Sequence, residues 1–414
     1  MKILFVHQNF PGQFPHLSEE MARLGHEVMA LTAEQNQRLI RIPVAKYAFA
    51  AAKPAEAVGK ITANHFERAE QGLAAARGAI ALKAQTGFNP DVIIGNIGWG
   101  ETLFLRDVWP EARMLAYGEF CYHSRGYDTD FDPEFQPQST SAQIMVTSRK
   151  SHLVQAMADA DAAIVPTHWQ ASTFPACYQS MITVVHDGVD TAVLKPDPQA
   201  HVVLPGSGIL LRQGDEVLTY VSRNLDPYRG FHIFLRSLPA VLAARPNARV
   251  VVVGGDDRGY GKWPPTGGPW REYLLAQMAG QIDLSRVHFT GRVPYDVFVK
   301  LMQISRVHTY MTYPFVLSWS MIEAMACGAY VVGSATPPVM EVIKDGVNGR
   351  LNGFFDIKGW SDSFIDGLAN PEKSAPLRHA ARATAVQTYD LRTICLPKQV
   401  EFLLTAGAKP PPGP

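Results

Sequence analysis

Two arginines in the stretch YVSRNLDPYRGF, Arg223 and Arg229, stand six positions apart around a Leu-Asp-Pro turn. Two guanidinium forks at that spacing suit the paired oxygens of a pyrophosphate. Either one could equally be a surface cation paired with Asp226, the usual fate of a loop arginine. A single carboxylate, Glu323, interrupts the apolar run YPFVLSWSMIEAMACGAYVVG, Tyr313 to Gly333. A charge on an Ala/Met face needs a partner, water or a proton, because burying it bare is strongly unfavourable. Ser320-Met321-Ile322-Glu323 has the S-x-x-E spacing of a capping box, so Glu323 either reaches back to the Ser320 N–H or binds something else.

The elements that must position these residues are short apolar runs alternating with helical patterns. KILFVH reads as a buried strand, FPHLSEEMARLGHEV as an amphipathic helix ending near Gly25, and EVMALT as the next strand, a βαβ unit. An Ala-rich stretch from Ala45 to Thr86 reads as helical; PDVIIGN, ARMLAYGEF and ADAAIVPT follow as parallel strands. The segment LKPDPQAHVVLPGSGILLRQGDE reads as a linker with surface turns. The alternation then restarts with EVLTYVS, the helix GFHIFLRSLPAVLAARP, ARVVVVGG, VHFTG, RVHTYMT and GAYVVGS. The expectation is an α/β protein of two doubly wound parallel sheets. Its divisions are 1–195, a linker at 196–215, a second domain at 216–385, a helix at 386–405 returning to the first domain, and a disordered tail at 406–414. Residues 256–270 (DDRGYGKWPPTGGPW) read as a Gly/Pro-rich loop.

Such sheets bind ligands outside the C-terminal ends of their strands. The helix starting near Ser318 or Ser320 offers free N–H groups to a phosphate. In the first half, HQNFPGQF places Gly12 where the chain can pass close to a ligand, with His7, Asn9 and Gln13 nearby; a tight turn alone would also require that glycine. AYGEFCYHSRGYDTDFDPEF supplies Glu119 and His123, with Glu119 preferred for a polar contact to a ligand, against a reading of this acidic loop as plain solvated surface. NIGWGETLF offers Trp99 and Glu101 to a ligand at the strand ends, against strand-end packing and a helix-start acid.

Composition excludes some partners. The 38 Lys+Arg balance 38 Asp+Glu in 414 residues, so no global field recruits nucleic acid. Cys121, Cys177, Cys327 and Cys395 lie far apart, with no zinc spacing and no disulfide framework, which fits a reducing cytoplasm. No signal peptide or membrane span is read, and contact with the inner face of a membrane stays open. Lys46, Lys53, Lys60 and Arg68 read as a solvated helix face, with contact to a lipid-linked ligand as the sharper alternative. No GxSxG and no Cys/His signature marks a covalent nucleophile.

YVSRNLDPYRGFHIFLRSL, VVVVGGD, VHFTGRVPYDVF, YPFVLSWSMIEAMACGAYVVGS and EVIKDGVNGRL, in this order, resemble the C-terminal domain of retaining glycosyltransferases of family 4. ILFVHQNFPGQF and HDGVDTAVLKP resemble that family's first glycine loop and its domain exit. The resemblance implies a GT-B fold with two Rossmann-like domains facing across a cleft. It also implies a nucleotide-sugar donor on the second domain, a glycan, lipid-linked or small-molecule acceptor on the first, and no metal or other cofactor. Arg223 and Arg229 match the basic pair on the donor diphosphate, with Arg229 where a lysine is common, and Asn224 lies beside them. Glu323 matches the second Glu of E-x7-E, which binds the donor ribose. Arg292 and Val293 match the turn facing the base; Leu317, Ser318, Trp319 and Ser320 match the segment near the phosphates. Surface-turn and core-aromatic readings compete for Arg292 and Trp319. The first Glu of E-x7-E is replaced by Phe315, which cannot accept a sugar hydroxyl. That implies a donor with altered stereochemistry or a missing hydroxyl, sugar contacts from main-chain groups, or a core residue in a protein that has lost activity. A sugar-nucleotide epimerase or hydrolase on the same fold, or an inactive nucleotide-sugar binding module, are the other functions considered.

Overall fold

Runs such as KILFV and VIIGN are apolar on both faces, and a strand of that kind is stable when helices cover both sides of its sheet. A computed structural model, describing residues 1–49, 61–135 and 139–408, shows this arrangement twice. The chain divides into two units, Met1–Asp187 with Cys395–Pro414, and Gly188–Ile394.

The first unit holds β1 (Lys2–Val6), β2 (Glu27–Ala33), β3 (Val44–Tyr47), β4 (Val92–Asn96), β5 (Arg113–Tyr117), β6 (Ala162–Val165) and β7 (Ile182–Val184). Their order is β3-β2-β1-β4-β5-β6-β7, with every pairing parallel. Two further strands, β8 (His201–Val203) and β9 (Leu210–Arg212), form a separate antiparallel hairpin. The second unit's sheet contains β10 (Val217–Asn224), β11 (Arg249–Gly255), β12 (Val287–Gly291), β13 (Val307–Tyr310), β14 (Tyr330–Ser334) and β15 (Arg350–Asn352). It is also parallel, in the order β12-β11-β10-β13-β14-β15. Every residue of β4, β13 and β14 is buried. The strand order reverses between β1 and β4 in one unit and between β10 and β13 in the other. At each reversal the crossover helices leave to opposite faces, opening a crevice at the strand ends.

Four expectations are corrected. The stretch from Ala45 begins with β3, not a helix: Tyr47 is buried and pairs with Ala33 of β2, and the helix runs over Ala63–Thr86. The expected linker at 196–215 contains β8 and β9, whose alternation turns Val202 and Leu211 inward beside Leu204 in the second unit's core. Its Pro and Gly residues make the turn of a hairpin. Residues 188–194 belong to the second unit, because Val189 and Leu194 pack in that core and Val189 exchanges backbone hydrogen bonds with Tyr389 and Leu391. The last helix, Leu396–Gly407, packs on the helix Pro15–Arg23 and on β5, burying Phe402 and Leu403 in the first unit's core, and Arg113 donates to the Ala406 carbonyl at 3.1 Å. It therefore covers part of the segment expected as tail; residues 409–414, like Lys53 and Lys60, lie outside the described residues.

Leu211→Ala is expected to destabilise the protein by about 2–4 kcal/mol in denaturant unfolding, as deletion of a buried leucine does. A linker side chain would give a change within about 0.5 kcal/mol.

Candidate functional site

In the second unit the candidate residues gather at the reversal between β10 and β13. Arg223 is the next-to-last residue of β10, exposed, and makes no hydrogen bond or ion pair among the described residues. Asp226 caps a 3-10 turn, Pro227–Arg229, by accepting the Arg229 N–H at 3.2 Å. Gly230 follows at φ +71, where a Cβ would lie 2.4 Å from Met311, so the chain can enter the helix Phe231–Ala244 only with glycine here. Arg229 is 8% exposed. Its Nη1 donates to the Tyr310 hydroxyl (3.1 Å), Thr312 Oγ1 (2.8 Å) and the Val316 carbonyl (3.0 Å). These acceptors are neutral, and the guanidinium makes no ion pair among the described residues. Burial pushes the Asp226 carboxyl up to about 6, against the pull of Arg229. Arg229 thus keeps a positive charge that no carboxylate neutralises directly, while Arg223 stands at the adjoining strand end.

Glu323 sits on the helix Trp319–Ala326. The helix is capped by Ser318, whose Oγ accepts from the Ser320 N–H at 3.4 Å, and Glu323 accepts instead from the Tyr295 hydroxyl at 3.0 Å. The capping box at Ser320 is therefore not the arrangement found. Burial pushes the Glu323 carboxyl up to about 7, opposed by the Tyr295 hydrogen bond. The Ser318 N–H donates to the Tyr310 hydroxyl at 2.7 Å, so one phenol joins the helix start to the arginine. Trp319 is 40% exposed and Ser320 9%. Leu317 is a core side chain and can offer a ligand only its main chain. Phe315 is buried in a ring cluster, edge-on to Tyr260 at 4.9 Å and to Tyr228 at 5.7 Å.

Arg292 is engaged within the protein, paired with Asp257 and donating to Asn224 Oδ1 at 2.9 Å. Asn224, buried, also donates to the Arg258 carbonyl at 3.3 Å. Val293 packs against the core, which leaves the backbone of its turn as the accessible part.

In the first unit, the loops after β1, β4 and β5 meet. Gln13 Nε2 donates to Glu119 Oε1 at 2.6 Å, and Asn96 at the end of β4 donates to Gln13 Oε1 at 3.3 Å. His7 is buried, and its Nδ1 accepts the Asn9 N–H at 2.9 Å, which leaves the proton on Nε2. Burial, with a smaller push from Arg38, lowers the His7 ring to about 4, against the Gln13 hydrogen bond. Gly12 has φ +55, and a Cβ there would be 2.5 Å from the His7 ring. His123 is occupied elsewhere, its Nε2 2.6 Å from the Thr173 carbonyl and its ring stacked on Tyr127 at 4.1 Å. Trp99 lies under Arg68 at 5.3 Å. Glu101 is fully buried and bonded to the Tyr47 hydroxyl at 3.2 Å, so it is a core acid and not an acceptor contact. Lys46 donates to the Asn36 carbonyl at 3.1 Å; with Arg68 it is tied within the unit and does not form a free cationic face. Among the described residues no helix is long and apolar enough to cross a membrane, and no group of three or more His, Cys, Asp or Glu could hold a metal ion.

Sequence reasoning missed Asn96, Tyr260, Tyr295, Tyr310 and Thr312. The usable signal was position: Asn96 and Tyr310 are the last residues of the strands flanking the two reversals.

Residues 24–194 match the family described as Glycosyl transferase family 4 group, and residues 208–384 the one described as Glycosyl transferases group 1. The chain belongs to the family 4 glycosyltransferases. The D-inositol 3-phosphate glycosyltransferase of Mycobacterium ulcerans is 28% identical over 235 residues, covering 56% of this chain and 47% of that protein. The chain spans about half the length of the curated relatives it matches. Sucrose-phosphate synthase from Thermosynechococcus elongatus superposes with a TM-score of 0.70 at 19% identity, over 99% of this chain and 100% of that one. Anabaena HepE in complex with UDP-glucose gives 0.67 at 18% identity, over 98% and 100%. These likenesses show the GT-B fold, with its two parallel Rossmann-like sheets. Phe315 stands eight residues before Glu323, at the position where the resemblance implied a glutamate.

Because the Glu323 carboxyl is raised from 4.5 to about 7, the folded state holds a proton that the unfolded chain gives up earlier. Stability from this group is therefore greatest at low pH and is lost as pH rises between those two values. Unfolding of wild type and Glu323→Gln from pH 4 to 8 is expected to show a steeper fall in wild type, the difference between the two curves growing by at most about 3 kcal/mol over that range, while the raised Asp226 and Glu101 carboxyls contribute equally to both. Parallel curves would contradict a buried carboxyl.

Proposed function

We propose that this chain is a retaining glycosyltransferase that works without a metal and moves a sugar from a nucleotide-sugar donor to a hydroxyl acceptor in glycan or polysaccharide assembly. The observation that carries it is the Arg223/Arg229 arrangement at the end of β10, one guanidinium exposed and without a partner among the described residues, the other buried among neutral acceptors. A site of that kind favours a dianionic ligand, since a phosphate oxygen supplies the counter-charge the fold omits. In this reading the second unit binds the donor. Arg223 and Arg229 hold the diphosphate and stabilise the charge that grows on it as the glycosidic bond breaks. Free N–H groups at the start of the helix Trp319–Ala326 add to that field. Glu323 takes the ribose hydroxyls in exchange for Tyr295, and the backbone at Arg292 and Val293 faces the base.

The first unit contributes orientation. Gln13 and Glu119 form a linked donor–acceptor pair for a sugar or acceptor hydroxyl, and neutral His7 offers Nε2–H beside Gly12. His123 and Trp99 fall outside this role because their contacts lie elsewhere. With no nucleophile–base pair assigned, the departing phosphate takes the acceptor's proton, and the protein supplies position and electrostatics. The acceptor is a hydroxyl of a glycan, a lipid-linked sugar or a small molecule. Phe315 favours one second reading, a nucleotide-sugar binding module without turnover.

Titration with UDP-, GDP-, ADP- and dTDP-sugars, followed by mass analysis, tests the proposal; the UDP-glucose complex of the Anabaena protein makes UDP the first choice. One nucleotide is expected to bind, with Glu323→Ala weakening it and Arg223→Ala lowering turnover roughly 10²–10³-fold, the loss typical of a removed charge-stabilising donor. Chelator should leave turnover unchanged. Binding without sugar transfer to any acceptor supports the module; sugar release or isomerisation without an acceptor supports a hydrolase or epimerase. In the same titration, affinity should rise between pH 6 and 8 as Glu323 ionises, because a charged carboxylate is the stronger acceptor. A flat wild-type profile matching that of Glu323→Gln would remove Glu323 from the ribose site.

A further inference from the structure

The Gly/Pro-rich stretch after β11, where the family resemblance is weak, is a built part of the site. Asn224 Nδ2 donates to the Arg258 carbonyl at 3.3 Å, the Tyr260 N–H donates to Asp226 Oδ2 at 3.2 Å, and Trp270 Nε1 donates to the Lys262 carbonyl at 2.9 Å. Gly259 passes so close to the Asp226 carboxylate that a Cβ would lie 1.6 Å from Oδ2. Asp226 therefore holds two loops together, with one oxygen on the Arg229 N–H and the other on the Tyr260 N–H.

What this latch delivers is the Tyr260 ring. It lies 5.4 Å from the Arg229 guanidinium, 4.9 Å from Phe315 and 6.0 Å from Tyr228, and it is 46% exposed while Phe315 is 4% exposed. The exposed surface beside Arg229 is thus part of the Tyr260 ring, backed by Phe315, at the position where the family-4 resemblance implies a carboxylate. A glutamate at 315 would be buried among these rings, whereas phenylalanine packs there edge-on. Ring carbons favour C–H groups and give a hydroxyl no charged acceptor.

We propose that Tyr260 and Phe315 together form the apolar wall of the donor-sugar subsite and select a deoxy sugar, whose missing hydroxyl would otherwise face that wall. The inference rests on the reading of Arg223, Arg229 and Glu323 as the donor site. It adds the sugar class and assigns Tyr260 as a specificity residue. An apolar wall discriminates modestly, roughly 10–10²-fold against an added hydroxyl, far less than a site built to hydrogen-bond that hydroxyl.

The test is a set of dissociation constants for the free nucleoside diphosphate, its glucose conjugate and the 2-, 3-, 4- and 6-deoxyglucose conjugates. They are measured on wild type, Tyr260→Ala and Phe315→Leu, with UDP, GDP, ADP and dTDP each tried as the nucleotide. One deoxy conjugate is expected to bind wild type about 10–10²-fold more tightly than the glucose conjugate. Tyr260→Ala should erase most of that preference, read as the ratio of deoxy to glucose conjugate on the same protein so that any change in Arg229's hold on the diphosphate cancels, and Phe315→Leu, which keeps an apolar side chain there, should retain part of it. Diphosphate binding with no deoxy preference, or a preference that survives Tyr260→Ala, overturns the wall and leaves the donor site standing. Failure of every diphosphate to bind wild type overturns the donor-site reading and this inference with it.

Discussion

The Arg229 guanidinium is the constraint on which the second unit's site depends. It leaves a turn capped by Asp226 after β10 and is received by Tyr310, Thr312 and Val316 after β13, so one cation bridges the two strands at which the sheet order reverses. A buried charge held only by neutral acceptors is a poor stabiliser compared with packed apolar groups. It is a good anchor for an anion, because the electrostatic cost of ordering it has been met during folding. Tyr310 extends the arrangement by receiving the Ser318 N–H, so that the start of the Glu323 helix is held in register with the arginine.

The same logic explains the raised carboxyls. Glu323 and Asp226 are pushed up by burial to about 7 and about 6, and neither is relieved by a direct guanidinium pair among the described residues. A fold selected for stability alone would pair or remove such groups. Here one carboxyl waits on a tyrosine hydroxyl that a ligand can replace, and the other holds an aromatic loop over the arginine.

Much of this was legible in the sequence because strands buried on both faces are written as unbroken apolar runs. β1, β4, β10, β11, β13 and β14 all lie where such runs stand, and in the first unit Gln13 and Glu119, in the loops that follow β1 and β5, meet. The failures have a common cause in short elements whose pattern is too brief to carry a period. β3 is a four-residue edge strand, and β8 and β9 are three residues each, flanked by the Pro and Gly that suggested a linker. Partners of side chains were legible least. Nothing local announces that Tyr295 meets Glu323 across 28 residues, that His123 turns to the Thr173 carbonyl, or that Tyr260 folds onto Phe315. Those contacts are set by which strand ends the topology brings together, and spacing along the chain does not encode that.

The most direct measurement is a crystal structure of the protein soaked with a nucleoside diphosphate. The account predicts phosphate oxygens on the Arg223 and Arg229 guanidinium groups and the ribose hydroxyls on Glu323, with the Tyr295 hydroxyl displaced from its 3.0 Å contact. A nucleotide bound away from the β10 and β13 strand ends, or bound there with Glu323 still held only by Tyr295, would contradict it.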